Sequence, residues 1–253
     1  MTIKDLIPPL LIKMHARLTE NPMMRQNRLD RHEFISSFWK SYGGKGLEDL
    51  FMELLFDFRE KGTYVEIGTN DPTASVSYTQ KFYNRGWRGI SVEPCIKEFE
   101  ALKKSRPEDI NLNICIGDKN GQRSFYEPRD SQAASLMPHL ASRWGKVKVR
   151  TVNVSTLETM LNEFLESEID FMVIDAEGME LEILKSNDWR KYKPKALIIE
   201  TVHHHYKEIV DYLKLYGYMI VYINHLNSIF VEKKAFANDE RFDVSETKIA
   251  KQK

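Results

Sequence analysis

The sequence has no net charge, almost no cysteine and no long apolar run, and each absence excludes a class of protein. Its 253 residues contain 37 Lys and Arg against 37 Asp and Glu, which excludes nucleic-acid binding by bulk positive charge. Cys95 and Cys115 are too few for a disulfide scaffold and lack the CxxC spacing of a zinc site. No stretch reaches the roughly 18 to 20 apolar residues of a membrane-spanning helix. We therefore expect no nucleic-acid partner and no transmembrane segment.

The amino terminus lacks the pattern of a secretion signal, because its apolar run from Leu6 to Leu11 is short and contains Pro8 and Pro9. This predicts a cytoplasmic location, with contact to a membrane surface through Ile7 to Ile12 as an alternative. Hydrophobic residues make up 42% of the chain, which is enough to form a sizeable core. The protein is expected to be globular.

The pattern of apolar and polar residues divides the chain into three parts. Residues 1–60 predict a helical extension, since apolar residues recur at steps of three and four between Leu47 and Phe58. Residues 61–234 alternate between strand and helix patterns, and residues 235–253 form a polar tail. The predicted strands are Tyr64–Ile67, Ile90–Glu93, Leu112–Ile116, Phe171–Ile174, Ala196–Ile199, Tyr218–Ile223 and Ser228–Val231. Such alternation is typical of an α/β fold with a parallel sheet, and the last two strands predict a hairpin.

Ligands of parallel sheets bind beyond the carboxyl ends of the strands, so the residues that follow each strand are the candidates for a site. The first strand ends in Glu66-Ile-Gly68, the second in Val92-Glu93, and the third in Cys115-Ile-Gly-Asp118. A dinucleotide fingerprint would require glycine at 70 and 73 as well, but these positions are Asn and Thr. Three carboxylates would repel phosphates. The pattern therefore favours S-adenosylmethionine, a cationic nucleoside without phosphate, although each acid alone could be a helix cap or surface ion pair.

The motifs of the same region resemble those of the FkbM family of S-adenosylmethionine-dependent methyltransferases. The resemblance extends over residues 63–202. It rests on Tyr64-Val-Glu-Ile-Gly-Thr-Asn-Asp-Pro72, Ser77-Tyr-Thr79, Phe82-Tyr83, Arg85-Gly-Trp-Arg-Gly89, Val92-Glu-Pro94, Ile116-Gly-Asp118, Thr156-Leu157, Ile174-Asp-Ala-Glu-Gly-Met-Glu-Leu181 and Leu184. The resemblance implies a Rossmann-like class I methyltransferase fold, with a mostly parallel seven-stranded sheet and a C-terminal antiparallel hairpin. It also implies transfer to oxygen, and the Asn-Asp-Pro loop is similar to that of glycan-associated members.

The resemblance further implies roles for individual residues in binding the cofactor. The methionine end would contact the loop after the first strand, the ribose would contact the loop after the second, and Asp118 would contact the adenine amino group. Ser135, in a later loop, would close over the cofactor. The implied cofactor-binding residues are Glu66, Gly68, Thr69, Asn70, Glu93, Pro94, Asp118 and Ser135.

Acids and a histidine follow the next two strands, where the chemistry is expected. Asp175 and Glu177 follow the fourth strand, and Glu200 and His203 follow the fifth. Asp175, Glu177 and His203 are the candidate bases that would activate a hydroxyl, whereas simple helix capping is the alternative for the acids. A second hypothesis places a Mg²⁺ ion on Asp175, Glu200 and His203, where it would orient sugar hydroxyls.

The acceptor is predicted to be a small molecule or glycan. The helical extension is a candidate lid, and Trp39, Tyr42 and Trp144 could stack on sugar rings, although ordinary packing explains each as well. A nicotinamide-dependent oxidoreductase and a non-catalytic binding module with the same fold are the alternative functions. A dimer is compatible with the sequence.

Overall fold

The computed structural model describes residues 48–72, 77–129, 131–202 and 205–239. The strands are β1 Thr63–Ile67, β2 Arg88–Val92, β3 Ile110–Leu112, β4 Cys115–Ile116, β5 Gly121–Pro128, β6 Val147–Ser155, β7 Phe171–Ile174, β8 Ala196–Glu200, β9 Tyr218–Ile223 and β10 Asn227–Glu232. The helices are α1 Glu48–Leu55, α2 Gln80–Arg85, α3 Ile96–Ser105, α4 Pro138–Ala141, α5 Leu157–Phe164, α6 Glu180–Lys185 and α7 Tyr206–Leu215. Short 3₁₀ turns occupy Ser131–Ala133 and Ser142–Trp144.

Seven strands form one sheet in the order β3-β2-β1-β7-β8-β10-β9. The first five strands of this order are parallel, while β10 is antiparallel to both β8 and β9. This confirms the predicted α/β fold with a mostly parallel seven-stranded sheet and a C-terminal hairpin. The strand order reverses direction between β1 and β7, which is the point where such sheets bind ligands.

The predicted third strand, Leu112–Ile116, is wrong as a single element. Residues 110–112 pair with β2 in the large sheet, whereas residues 115–116 pair with β6 in a second sheet of order β4-β6-β5. Asn113 lies at the break, and its side-chain amide donates to the carbonyls of Glu93 and Pro94, both at 2.8 Å. The side chain thus forms hydrogen bonds with backbone carbonyls that follow β2. At this point the chain passes from the large sheet to the small one.

Two apolar cores lie against the two faces of the large sheet, because successive side chains of a strand point to opposite faces. On β7, Met172 and Ile174 belong to the core that includes α5, α6 and α7, whereas Phe171 and Val173 belong to the core that includes α1 and Trp87. Within the described ranges, no helix combines the length and apolarity needed to span a membrane.

Helix α1 is packed into the second core on all sides. Its acids are buried together with its apolar residues. Glu53 forms an ion pair with Arg85 at 2.5 Å, and Asp49 forms one with Lys81 at 3.1 Å. The folded unit therefore begins at or before residue 48, and residues 1–47, most of the predicted helical extension, lie outside the described residues.

Candidate active site

A cleft opens at the carboxyl edge of the large sheet, where β1, β2 and β7 end. The space between its walls is open to solvent. One wall consists of the loops after these strands, and the other consists of β4, β5 and the segment that follows β5. Among the described residues, no Lys or Arg lines this cleft.

The loop after β1 approaches β7 more closely than a side chain would permit. Gly68 has a φ of +83°, and a Cβ at this position would lie 1.8 Å from the carbonyl oxygen of Asp175. The N–H groups of Gly68 and Thr69 donate to the carbonyl of Val92 at 3.0 and 3.1 Å. Asn70 then adopts a φ of 53°, in the left-handed region that asparagine tolerates. These residues form a tight turn that lines the cleft.

Glu93 follows β2 with a buried carboxylate that is held by two backbone donors. The N–H of Asn70 donates to Oε2 at 2.6 Å, and the N–H of Cys95 donates to Oε1 at 2.7 Å. Burial raises the pKa of Glu93 to about 7, and these hydrogen bonds counteract the rise only in part. Each oxygen retains a second lone pair that can accept from a ligand hydroxyl. The position fits the predicted ribose contact, as does that of the adjacent Pro94, which also lines the cleft.

The structure corrects the assignment of Glu66, which does not line the cleft. Its Oε2 accepts from Arg106 Nη1 at 2.8 Å and from Thr79 Oγ1 at 2.6 Å. The charged side chains are 1% exposed or less. Arg106 also donates to the hydroxyl of Ser77 at 2.6 Å. Glu66 therefore forms a buried ion pair, and this ion pair holds the residues just before α2 in place.

The assignment of Asp118 to the adenine amino group is corrected as well, because Asp118 does not line the cleft. It is exposed in the turn between β4 and β5, where it accepts from Arg123 at 3.2 Å. The prediction assumed that Asp118 follows a strand of the large sheet. Because the chain changes sheets at Asn113, the residue lies beyond the small sheet instead.

Two acids line the cleft in the turn after β7, as expected from the sequence. Asp175 is followed by Glu177 with a φ of 50° and Gly178 with a φ of 99°. Oε1 of Glu180 accepts from the N–H groups of Ala176 and Gly178 at 3.0 and 3.1 Å. Burial raises the pKa of Glu180 to about 7. Glu180 thus holds the turn after β7 in place, while the N-cap of α6 is Met179, which forms no side-chain capping hydrogen bond.

Residues 131–136, which we call the strap, cross from the small sheet to this turn. Ser135 is 1% exposed, and its hydroxyl donates to the carbonyl of Glu177 at 2.8 Å and accepts from the N–H of Met137 at 2.9 Å. At the other end, Ser131 donates to Glu98 at 2.8 Å. The strap forms part of the cleft wall, and this position fits the predicted closing role of Ser135.

Carboxylate oxygens of Asp175, Glu177 and Glu200 lie within 4.8 Å of one another. The metal hypothesis combined Asp175 and Glu200 with His203. The structure brings the two acids together and adds Glu177, while His203 lies outside the described residues. A bound cation would relieve the repulsion between carboxylates at this spacing.

Tyr78 lines the cleft beside these acids and was missed as a site residue, although it lies in the Ser77-Tyr-Thr79 motif. Its hydroxyl accepts from the side-chain amide of Asn227 at 3.0 Å, and the same amide donates to Glu48 at 2.6 Å. Burial, followed by the charges of Asp175 and Glu48, raises the pKa of Tyr78, so the phenol keeps its proton. The missing signal was the contact with Asn227, which is far away in the sequence.

The remaining wall is apolar and could receive a flat base. Cys95 and Cys115 are buried, and both line the cleft. Burial raises the pKa of Cys115 to about 12, so its thiol is neutral. The other apolar side chains of this wall include Ile114, Ile116, Phe125 and Leu136.

This combination fits S-adenosylmethionine. Glu93 offers acceptors for a diol, Gly68 permits close approach of a ligand, and the apolar wall suits adenine. The lack of basic lining residues within the described part of the chain does not suit a pyrophosphate. Together with the strand order and the reversed hairpin, the cleft defines an S-adenosylmethionine-dependent class I methyltransferase fold.

The family follows from the sequence comparison. A model described as the methyltransferase FkbM domain matches residues 66–220, which is more than half of the chain. The chain therefore belongs to the FkbM methyltransferase family. Membership of this family argues against the alternative function considered from the sequence, a nicotinamide-dependent oxidoreductase.

Several solved structures are similar to this chain at low sequence identity. An FkbM methyltransferase from Methylobacillus flagellatus is 13% identical with a TM-score of 0.44, and the match covers 79% of this chain and 59% of that one. An O-methyltransferase from Bacillus cereus is 11% identical (TM-score 0.39; 85% and 96% covered). A TehB-like methyltransferase from Corynebacterium glutamicum is 9% identical (TM-score 0.40; 84% and 100% covered). No curated protein matches the sequence significantly.

Proposed function

We propose that the protein transfers a methyl group from S-adenosylmethionine to a hydroxyl of a sugar or glycan-type acceptor. The observation that carries this proposal is that Asp175 and Glu177 line the same cleft as Gly68 and Glu93. O-methyl transfer requires that the groups that bind the cofactor and the group that accepts the proton lie in one cleft. The Asn-Asp-Pro loop at 70–72, which resembles glycan-associated members of the family, supports a sugar as the acceptor.

The loops after β1 and β2 would hold the cofactor. Thr69 and Asn70 would contact its methionine end, Glu93 and Pro94 its ribose, and the strap with Ser135 would cover it. When bound, S-adenosylmethionine supplies an electrophilic methyl group at its sulfonium. Gly68 keeps β1 and β7 close, so that the acids after β7 face the same space as the loop after β1.

The acids after β7 would accept the proton of the acceptor hydroxyl. Positioning both reactants in line can lower a barrier by roughly 7 to 11 kcal/mol, and a placed base adds about 10²- to 10⁴-fold. Asp175 and Glu177 are the candidate bases within the described residues, and His203 is retained as a third candidate. Tyr78, which keeps its proton, is placed to donate a hydrogen bond to an acceptor oxygen.

Turnover by the variants Asp175→Asn and Glu177→Gln tests the proposed base. The measurement is release of S-adenosylhomocysteine with neutral, nucleotide-linked and lipid-linked sugars, with Glu163→Gln on the exposed face of α5 as the matched control. We expect one base variant to lose about 10²- to 10⁴-fold in kcat while it retains binding of S-adenosylhomocysteine. Full rates in both variants would contradict the assignment. Cofactor binding without turnover of any acceptor would instead favour the non-catalytic module.

The acidic group keeps a second candidate mechanism, in which Mg²⁺ bound by Asp175 and Glu200, with Glu177 or His203, orients the acceptor. Exhaustive chelation separates the two mechanisms. Activity that is unchanged in EDTA without added metal would exclude the Mg²⁺ mechanism, whereas loss that Mg²⁺ restores would support it. We further propose a cytoplasmic location; a dimer is compatible with this function.

A further inference from the structure

Basic side chains gather at one end of the small sheet. Pro128 of β5 pairs with Val147 of β6, and Glu127 pairs with Lys148. Continuing this antiparallel register brings residue 129 opposite residue 146. The 3₁₀ turn Ser142–Trp144 contacts β5 and directly precedes this end of β6. We define the basic patch as Arg129, Arg143, Trp144, Lys146 and Lys148, all of which are exposed.

The charge of this region is unbalanced in a chain whose net charge is zero. Residues 118–150 contain seven Lys and Arg against three Asp and Glu. Two of the acids are already paired, Asp118 with Arg123 and Glu127 with Arg150. The third, Asp130, lies outside the described residues. The four cations of the basic patch form no ion pair with any residue that the structure describes.

The basic patch adjoins the cleft at two points. Arg129 precedes the strap, whose residues Ser131 and Gln132 line the cleft. On the other side, α4 connects the strap to the 3₁₀ turn and packs against the β7 turn. A Cβ on Gly178 would lie only 2.3 Å from Leu140 Cδ1. Trp144 is 63% exposed, so its ring is available to a ligand.

We propose that the basic patch binds an anionic group of the acceptor while Trp144 stacks on the adjoining sugar ring. This inference rests on the proposed function and narrows it to acceptors that carry a phosphate or a sugar carboxylate. The cofactor has no phosphate, and no basic residue of the described ranges lines the cleft, so cofactor binding does not account for these cations. Exposed cations attract anions at a range set by screening, and an aromatic face adds contact with the sugar.

Calorimetry in the presence of saturating S-adenosylhomocysteine tests the proposal with three oligosaccharides: maltotetraose, maltotetraose 1-phosphate and tetragalacturonate. We expect at least one anionic oligosaccharide to bind roughly tenfold more tightly than maltotetraose, and more weakly as salt is raised. The stronger of the two identifies the anionic group. The variant Arg129→Gln/Lys146→Gln/Lys148→Gln should lose this preference, whereas Trp144→Ala should weaken binding of all three oligosaccharides.

The matched control is Lys104→Gln/Lys185→Gln/Lys214→Gln, which removes three exposed cations elsewhere and should bind like the wild type. Equal binding of neutral and anionic oligosaccharides, or an unchanged preference in the patch variant, would overturn the proposal. Binding to phosphatidylserine vesicles without binding to either anionic oligosaccharide would overturn it too, and would indicate a membrane-contacting surface. Failure of the proposed function shows separately, as absence of S-adenosylhomocysteine binding by the wild type.

Discussion

Single residues at the ends of β1, β2 and β7 determine the shape of the cleft. Gly68 and Glu93 could be predicted from the sequence because each directly follows a strand, and the structure places both at the cleft. Glu66, by contrast, lies within β1, and Arg106 binds it from 40 residues further along the chain. No local pattern reveals such a partner, and a one-residue change of position along a strand moves a side chain to the other face.

Substitution of Gly68 by alanine is expected to destabilise the protein severely. The new Cβ would meet the Asp175 carbonyl at 1.8 Å, in addition to the strain of a φ of +83°. The control Gly121→Ala has a φ of +145° with nothing within 4 Å, and it should cost about 1 to 3 kcal/mol. Urea unfolding compares the two variants. Equal losses would show that the close approach of β1 and β7 does not matter.

Binding of an uncharged nucleoside should tighten as the pH rises, because Glu93 has a raised pKa of about 7. The ionised carboxylate is the better acceptor for a ribose diol, and it predominates above this pKa. From pH 6 to pH 8, the affinity for 5′-deoxy-5′-methylthioadenosine should rise by up to about tenfold. Glu93→Gln should bind more weakly with a flat pH profile. A pH-independent affinity in the wild type would contradict the role of Glu93.

At the scale of elements, periodic strands could be predicted closely and irregular ones could not. The bounds of β7 and β9 are those expected from their apolar runs. The third strand failed because the side chain of Asn113 binds two backbone carbonyls and diverts the chain, an event that apolar periodicity does not report. Because of this error, Asp118 was expected at the adenine site, whereas it lies in a solvent-exposed turn.

The attachment between β1, α2 and α3 depends on the buried pair of Glu66 and Arg106. Glu66→Gln leaves a buried guanidinium without its counter-charge and should cost about 3 to 5 kcal/mol. The double variant Glu66→Gln/Arg106→Met should be less destabilised than this single variant. Chemical denaturation measures both.

Binding by the folded Glu66→Gln variant distinguishes a structural role from direct contact with the cofactor. Because Glu66 does not line the cleft, S-adenosylhomocysteine should bind with an affinity near that of the wild type. A large loss of affinity without loss of stability would restore the cofactor contact expected from the sequence.

For the whole molecule, a net charge of zero conceals an uneven distribution. Acids concentrate after β7 and β8, while cations that form no ion pair with a described residue concentrate in the basic patch at the end of the small sheet. The composition could exclude bulk electrostatic binding of nucleic acid, but it could not locate either group. The positions depend on the second sheet, which brings the residues near 129 and 146 together.

Deletion of residues 1–45 tests whether the leading segment takes part in acceptor recognition. Helix α1 must remain, because its residues are buried and Glu48 accepts from Asn224 and Asn227 at 2.7 and 2.6 Å. The truncated protein should bind S-adenosylhomocysteine normally and lose acceptor turnover. Unchanged turnover would contradict a lid function for this segment.

Calorimetric titration of the full chain with S-adenosylhomocysteine, and in parallel with NADH, tests the central claim most directly. The account predicts one-to-one binding of S-adenosylhomocysteine that Glu93→Ala weakens strongly, and no binding of NADH, since no basic residue in the described ranges lines the cleft. Binding of NADH without binding of S-adenosylhomocysteine would contradict it.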